Sequence, residues 1–317
     1  MRRQIVLGAL LAFGALSLTA AAFQQPPAPS AAGIEVEKLT DNLYVLKALT
    51  NGGGGNTSVL ITANGVTVVD TKNPGWGQPL LDKIKTITNK PVTMIINTHT
   101  HGDHVSGNVE FPATVDVVTH ENTKANMAAM RPASFVAVPP TGPAPNIFTR
   151  HQGHNLPKRT FKDKMTIGNG ADQIELYYFG PAHTNGDAMV FFPTARVLHM
   201  SDVFAGKGLP GMDSNNGGTG VGYADTLTKT ADWADKANVE KIVNGPFAST
   251  TSRAELREFI AYVRDFVKAT QDGKKAGKTV DETAGAWKTP AKYPGYEPTS
   301  PPVRVKANVE LIYKETK

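Results

Sequence analysis

The feature that most constrains this chain is a short apolar run followed at once by a cluster of histidines. Residues 93–108 read TMIINTHTHGDHVSGN, and the predicted strand 92–97 delivers His99, His101, Asp103 and His104. Alternation along an extended segment points the first two histidines and the aspartate to one side. Gly102 permits a sharp turn, from which the last histidine reaches the same point. Three of the eight histidines of the chain fall here.

Imidazole nitrogens and a carboxylate at the end of a strand are suitable ligands for a borderline metal such as Zn²⁺. Two later segments have the same form. GPAHTNGD places His183 just past a predicted strand at 174–179, and HMSDVF places Asp202 just past one at 196–200. Each segment alone is weak evidence, but together with the histidine cluster they predict a two-metal constellation.

Composition excludes several classes of protein. The 317 residues include 40% hydrophobic and 19% charged residues, which is ordinary for a globular chain and excludes collagen, coiled coil and wholesale disorder. The absence of cysteine excludes disulfides, cysteine-ligated zinc, iron–sulfur clusters and thiol catalysis.

The N-terminus has the layout of a secretory signal peptide at 1–22. Arg2 and Arg3 precede an apolar run at 5–20, which three alanines follow. The alternative, a membrane anchor, needs a longer run, so we expect no stable membrane insertion after cleavage. Residues 23–33 are predicted to be a linker and 34–317 a single catalytic domain. We expect a secreted or periplasmic protein. Cleavage removes two arginines and lowers the net charge from +5 to +3, too little to predict a nucleic-acid partner.

Periodicity predicts an alternation of strands and helices along the domain. Helices are predicted at 76–88, 121–130, 223–237 and 252–270, with short strands between them. Residues 131–158 form a long excursion, and residues 205–222 form a glycine-rich loop of the kind that covers a binding site. A last run at 302–313 is predicted to be strand-like.

The motifs THTHGDH, GPAHTNGD and MSDVF, with GGGGNTSVLI and GVTVVDT, resemble the metallo-β-lactamase fold hydrolases. The matching motifs occur in the family's order from about residue 34 to 270. The family includes glyoxalase-II-like, lactonase-like and lactamase-like enzymes. It implies an α+β fold, an αββα sandwich of two facing mixed β-sheets with helices outside and metals at one edge.

The resemblance also implies roles for individual residues. His99, His101 and His183 would bind the first zinc, Asp103 and His104 the second, and Asp202 would bridge the two. Asp70, which ends the GVTVVDT segment, would either brace the metal loop or simply cap its strand; the sequence leaves both readings open.

Two features of the sequence bear on which class of enzyme within this family it resembles and on how many metal ions it binds. Without cysteine, the two lactamase subclasses that use a cysteine ligand are excluded, and Asp202 favours a thioester, lactone or ester hydrolase over the remaining subclass. Pro246 stands where the family supplies a last histidine to the second metal, and proline offers no ligand atom. We therefore expect one or two zinc ions per chain, with a weakened second site. Among possible substitutes, His199 is predicted to face the core, and His151 and His154 the surface.

The resulting hypothesis is an exported zinc-dependent hydrolase that cleaves an ester, lactone, thioester or β-lactam-type bond in a small-molecule substrate. Hydroxide formed on the metal would attack the carbonyl, and Asp103 would orient it and pass a proton to the leaving group. Phe135, Phe148 and Tyr223 would either frame the substrate or belong to ordinary packing, and the sequence leaves both readings open. The alternatives are an iron-dependent relative that handles sulfur or oxygen, and an impaired metal-binding protein. Substrate and oligomeric state stay open.

Overall fold

The computed structural model describes residues 28–49, 52–245, 250–298 and 300–317. The predicted signal peptide, the first part of the predicted linker and Pro246 lie outside the described residues. In the rest of the linker, Ala31–Gly33 forms one 3₁₀ turn before the first strand. No helix among the described residues combines the length and the apolar character that crossing a bilayer requires.

Twelve strands within the described ranges are arranged in two mixed sheets. The first sheet contains seven strands, in the spatial order of the chain: β1 (Ile34–Lys38), β2 (Leu43–Ala48), β3 (Thr57–Thr62), β4 (Gly65–Val69), β5 (Val92–Asn97), β6 (Asp116–His120) and β7 (Arg159–Phe161). Its first four strands pair antiparallel, whereas β4 to β7 pair in parallel.

The second sheet contains β8 (Lys164–Ile167), β9 (Ile174–Tyr177), β10 (Met189–Phe192), β11 (Val197–Ser201) and β12 (Lys241–Asn244). Its neighbours pair antiparallel except β11 and β12, which run in parallel. Parallel strands present their carboxyl ends at the same edge of a sheet, so the segments that follow β4 and β5 share an edge of the first sheet, and the ends of β11 and β12 share an edge of the second.

Helices connect and cover these strands: α1 (Gly77–Lys85), α2 (Gly102–Val105), α3 (Glu121–Ala129), α4 (Ile147–Arg150), α5 (Tyr223–Lys236), α6 (Arg253–Lys275), α7 (Val280–Ala286) and α8 (Pro302–Glu315). A capping box between Ser252 and Glu255 begins α6, the longest of them.

Successive side chains of a strand point to opposite faces, so some apolar side chains lie between the two sheets and others between a sheet and its helices. In β5, Ile95 packs with Leu80 of α1, whereas the next residue, Ile96, lies in the cluster that both sheets share. In β12, Val243 lies in that same cluster, and Ile242 packs against the α5, α6 and α8 side. The predicted sandwich of two facing sheets with helices outside is therefore confirmed.

The strand-like run predicted at 302–313 is wrong, since these residues form α8. The apolar residues there recur at every second position, but Val305, Val309 and Ile312 also fit the helical spacing, and the helix buries them. Pro302 at the first turn is compatible with a helix start, because its missing N–H has no partner there.

Candidate metal centre

The site is built where chain segments leave the strands. Asp70 follows β4, the HTHGDH segment follows β5, and Asp202 follows β11. His183 comes from the loop between β9 and β10. The two sheets face each other, so these segments of both sheets meet at one edge of the sandwich. Every residue that the sequence predicted as a metal ligand is found there.

The first group contains His99, His101, His183 and Asp202, whose ligand atoms lie within 4.8 Å of one another. His101 Nδ1 lies 3.1 Å from His99 Nε2 and 2.9 Å from His183 Nε2. All three rings are buried. Burial and the neighbouring imidazoles lower the pKa of His99, and the same causes lower the pKa of His183 to about 4. These two rings are therefore neutral at pH 7, which is the form that binds metals.

The outer nitrogens of two rings have strong acceptors, which assign their tautomers. His101 Nε2 lies 2.7 Å from Asp213 Oδ2, and His183 Nδ1 lies 2.7 Å from the Gly211 carbonyl oxygen. Because both outer nitrogens donate, His101 Nδ1 and His183 Nε2 each carry a lone pair toward the other.

Asp70 orients His99, the third ring of the first group, through Thr98. Its Oδ1 accepts from the Thr98 N–H at 2.8 Å, and its Oδ2 accepts from the Thr98 hydroxyl at 2.7 Å. That hydroxyl lies 3.0 Å from His99 Nδ1 and is left as the acceptor there, so His99 Nε2 also carries a lone pair. Of the two readings of Asp70, the contacts favour the bracing of the metal loop.

The second group contains Asp103, His104 and Asp202. His104 Nδ1 lies 2.8 Å from Asp70 Oδ2, and on the other side of the ring Nε2 faces Asp103 Oδ2 at 3.5 Å and Asp202 Oδ1 at 3.3 Å. Burial opposes a charge on His104, but the carboxylates of Asp202, Asp103 and Asp70 outweigh it and raise the pKa of this ring. Asp202 Oδ2 also lies 3.8 Å from His183 Nε2, so this carboxylate stands between both groups.

These donors fit a cation. Three ring nitrogens converge around His101, and while the rings are neutral and their outer nitrogens donate, no proton is left to lie between these three nitrogens. His104 Nε2 and Asp202 Oδ1 are buried without a hydrogen-bond partner among the described residues, which is costly in the absence of an ion. Nitrogen and oxygen donors in this number suit zinc or another borderline divalent ion.

The glycine run beside the second group is required by close packing. A Cβ on Gly54 would lie 2.2 Å from the Asp103 carbonyl oxygen, and a Cβ on Gly55 would lie 2.2 Å from His104 Cε1. Lys72 is fully buried, and its Nζ donates to the Gly55 carbonyl at 2.5 Å. Burial lowers the pKa of Lys72 to about 7, and the charges of Asp70 and Asp103 act in the opposite direction.

Of the three aromatic residues that the sequence singled out, Phe135 stands against the histidines of the first group. Its ring centroid is 5.7 Å from that of His101 and 5.6 Å from that of His183. For Phe148 the structure shows ordinary packing, because this ring is buried among Val105 and Met127. Tyr223 is also a packing residue, since its buried hydroxyl donates to the Val203 carbonyl at 3.1 Å and lies 3.4 Å from the Asp202 carbonyl oxygen.

The remaining histidines do not join either group. His199 is buried, as predicted, and its Nδ1 lies 2.8 Å from Ser58 Oγ. His151 is exposed, and His154 is half-buried with Nε2 2.9 Å from the Phe111 carbonyl oxygen. Among the parts of the chain that are described, no histidine takes the place of the one replaced by Pro246.

Sequence reasoning missed Asp213 and Lys72. Asp213 lies in the glycine-rich loop, where an Asp followed by Ser-Asn-Asn is typical of any turn. Burial opposes its ionisation, but the hydrogen bond and charge of His101, with further donors, lower the pKa of Asp213 to about 2. Lys72 follows the Asp70 motif, and a lysine in a loop is ordinarily solvated. Contacts distant in sequence give both residues their roles.

Comparison with known proteins agrees with this architecture. The chain is 26% identical over 211 residues to the metallo-beta-lactamase type 2 of Elizabethkingia meningoseptica, covering 62% of this chain and 71% of that protein. It is 31% identical over 146 residues to the 2,4-dinitroanisole O-demethylase subunit alpha of Nocardioides sp. (strain JS1661), covering 45% of this chain and 39% of that protein.

Solved structures show the same fold. A metallo-beta-lactamase from Pontibacter korlensis superposes with a TM-score of 0.57 at 20% identity, covering 73% of this chain and 99% of its own. A double mutant of the sec-alkyl sulfatase PisA1 gives 0.63 at 13% identity, covering 89% of this chain and 50% of its own.

The family model described as the metallo-beta-lactamase superfamily matches residues 50–245, which is more than half of the chain. The chain therefore belongs to the metallo-beta-lactamase superfamily, and the predictions of that family and of a metallo-hydrolase are confirmed.

Proposed function

We propose that this chain is an exported zinc-dependent hydrolase that opens an ester, lactone, thioester or β-lactam-type bond. The observation that carries the proposal is the convergence of three imidazole lone pairs around His101, with the Asp202 carboxylate beside them. In this proposal His99, His101 and His183 hold the first zinc. Asp103 and His104 would hold a second, and Asp202, whose carboxylate lies between the two groups, would be shared by both.

A bound zinc supplies Lewis acidity for the scissile carbonyl and lowers the pKa of a water molecule to roughly 7. The protein's own contribution begins with fixed ligand orientation. Asp213 and the Gly211 carbonyl hold the outer nitrogens of His101 and His183, while Asp70 and Thr98 hold His99 and His104. Side chains held in this way bind a metal without the free-energy cost of reorienting first.

Asp103 is the proposed catalytic carboxylate. Its side chain is 41% exposed, whereas that of Asp202 is 19% exposed, so Asp103 is the more accessible of the two to substrate and water. Partial burial opposes ionisation, but the charge of the neighbouring His104 outweighs it and keeps the pKa of Asp103 below its ordinary value. The ionised carboxylate orients the attacking water, accepts a proton from it and returns that proton to the leaving group.

Phe135 supplies an apolar wall on the His101 and His183 side. Arg304 lies behind this wall, with its guanidinium carbon 5.7 Å from the ring centroid. Val136 and Val138, at 55% and 51% exposure, continue the same segment toward solvent. These residues favour substrates with an apolar group next to the scissile bond.

The second zinc is proposed to bind more weakly than the first. Its donors here are Asp103, His104 and Asp202, and the sequence offers Pro246 where the family pattern has a histidine. With the second position empty, proton transfer depends on Asp103 and on water.

The test is metal analysis followed by turnover. Purified protein, before and after zinc loading, is analysed by elemental mass spectrometry, and hydrolysis of p-nitrophenyl acetate, γ-butyrolactone and a chromogenic cephalosporin is then assayed. The proposal predicts at least one zinc per chain and turnover that a chelator abolishes and zinc restores. Bound iron in place of zinc would support the iron-dependent alternative. Zinc binding without turnover would support the alternative of an impaired metal-binding protein.

Two controls complete this test. His101→Ala is expected to lose both tight zinc binding and turnover, whereas the exposed His151→Ala is expected to retain them. Unchanged hydrolysis in His101→Ala would exclude the metal mechanism. Export is tested by expressing the full chain in a bacterium and sequencing the periplasmic product, which is expected to begin near Phe23.

A further inference from the structure

The C-terminal helix α8 reaches the metal centre through a chain of polar contacts. Asn308 is fully buried on this helix and makes two hydrogen bonds to the glycine-rich loop 205–222. Its Nδ2 donates to the Pro210 carbonyl at 2.8 Å, and its Oδ1 accepts from the Met212 N–H at 3.1 Å. One side chain thus holds the backbone on both sides of Gly211.

Gly211 is the residue that orients His183. Its carbonyl oxygen accepts from His183 Nδ1 at 2.7 Å. On its other side, a Cβ would lie 2.4 Å from Cζ of Phe135, so the peptide is confined between the aromatic wall and Asn308. Two residues further along, Asp213 accepts from His101 Nε2 at 2.7 Å. The same short stretch of loop therefore orients two of the three histidines of the first group.

Other side chains of α8 hold the same loop at its two ends. Arg304 Nη1 donates to the Leu209 carbonyl at 3.1 Å. Near the far end, Glu315 Oε2 accepts from the N–H groups of Gly220 and Val221 at 2.9 and 2.8 Å. A loop with seven glycines in 205–222 loses much backbone entropy when it is ordered, so contacts of this kind decide whether its acceptors stay in place.

We propose that Asn308 is a positioning residue for the metal ligands His183 and His101. It acts through the Gly211 carbonyl and through the chain that leads to Asp213. The helix that carries it lies outside residues 50–245, the part that the family model matches. The inference rests on the proposed function, because it concerns the affinity of the first site for a divalent metal.

The test compares three variants with the wild-type chain. Asn308→Ala removes both hydrogen bonds to the loop. Asn308→Asp keeps the volume and the acceptor for Met212, but sets an oxygen against the Pro210 carbonyl. Tyr313→Phe is the matched control, because the Tyr313 hydroxyl on the same helix bonds to Thr283 and the Lys278 carbonyl but not to the loop.

Zinc affinity is measured by competition with a chromogenic chelator, the geometry of the site by the visible spectrum of the Co²⁺-substituted protein, and folding by the Tm of the metal-free protein. Both Asn308 variants are expected to bind zinc about 10-fold more weakly or worse, with an altered cobalt spectrum. Tyr313→Phe is expected to match the wild type in both. If Asn308→Ala does not fold, the zinc affinity and cobalt spectrum of Asn308→Asp alone test the proposal.

Two results would overturn the proposal while metal binding itself stands. One is wild-type zinc affinity and an unchanged cobalt spectrum in the Asn308 variants. The other is an equal loss of affinity in Tyr313→Phe, since the helix would then act only through general stability. If the wild-type chain binds no divalent metal, the proposed function fails first, and this inference fails with it.

Discussion

Replacing Asp213 with asparagine isolates the part that one buried carboxylate plays in metal binding. Oδ2 of this carboxylate lies 2.7 Å from His101 Nε2 and 2.6 Å from Asn216 Nδ2, while Oδ1 accepts from the Ser134 and Asn215 N–H groups. Because Oδ1 accepts from both backbone N–H groups, the asparagine oxygen must take that place and its NH₂ must stand where Oδ2 now accepts from His101 and Asn216. Its NH₂ would then face the His101 N–H. Relief of that clash moves the His101 proton to Nδ1, the nitrogen that faces the metal position.

The size of the effect follows from the contact that is lost. A hydrogen bond to a charged group contributes about 1.5–3 kcal/mol. A free-energy difference of about 1.4 kcal/mol corresponds to a tenfold change in affinity. A loss of about 2 kcal/mol therefore predicts about 30-fold weaker zinc binding, which agrees with the roughly 10- to 100-fold range for residues that orient metal ligands.

The assay is zinc competition with a chromogenic chelator at pH 7, with the Tm of the metal-free protein measured alongside. Asp265→Asn is a suitable control, because it removes a carboxylate of α6 that bonds to Tyr293 and Lys292. Zinc affinity of Asp213→Asn within about twofold of the wild type, in a folded protein, would refute the tautomer argument.

Three further outcomes are expected. Gly55→Ala should weaken zinc binding at the second position and lower turnover, because its Cβ would meet His104. Gly285→Ala in α7 adds a Cβ with no neighbour within 4 Å and should keep both, and zinc stoichiometry and kcat distinguish the two variants. In the metal-free protein, Lys72 has a pKa near 7 against 10.5 in its ordinary state, so its burial destabilises the fold most below pH 7. The free energy of unfolding should then rise by about 1.4 kcal/mol per pH unit between pH 7.5 and 9.5. Urea unfolding at several pH values should show this slope in the difference between the wild type and Lys72→Met, and a difference that does not change with pH would contradict it. Pro246→His restores the donor of the family pattern and should raise the zinc content toward two per chain, measured by elemental mass spectrometry; an unchanged content would mean that position 246 does not limit the second site.

Local rules explain why much of the site was predictable. The HTHGDH segment follows a buried strand directly, so its side-chain directions depend on the backbone of those few residues alone. His183 and Asp202 each follow a predicted strand, and the facing sheets bring those strand ends together. The run at 302–313 failed because its apolar residues satisfy two periodicities, and the choice between them depends on what the segment packs against.

By itself, the sequence determined the family, the sandwich of two mixed sheets and the six residues that the structure gathers into two donor groups. Each of these rests on patterns a few residues long. Only the tertiary structure decided which side chains hold those donors in place. Asp213 reaches His101 across more than a hundred residues of chain, and Asn308 reaches the Pro210 and Met212 backbone across almost as many. It also placed Lys72 beside the Gly55 carbonyl and buried the side chains of Tyr223 and Phe148. The physical reason is that a hydrogen-bond partner is selected by proximity in the folded chain, and no local spacing encodes that proximity.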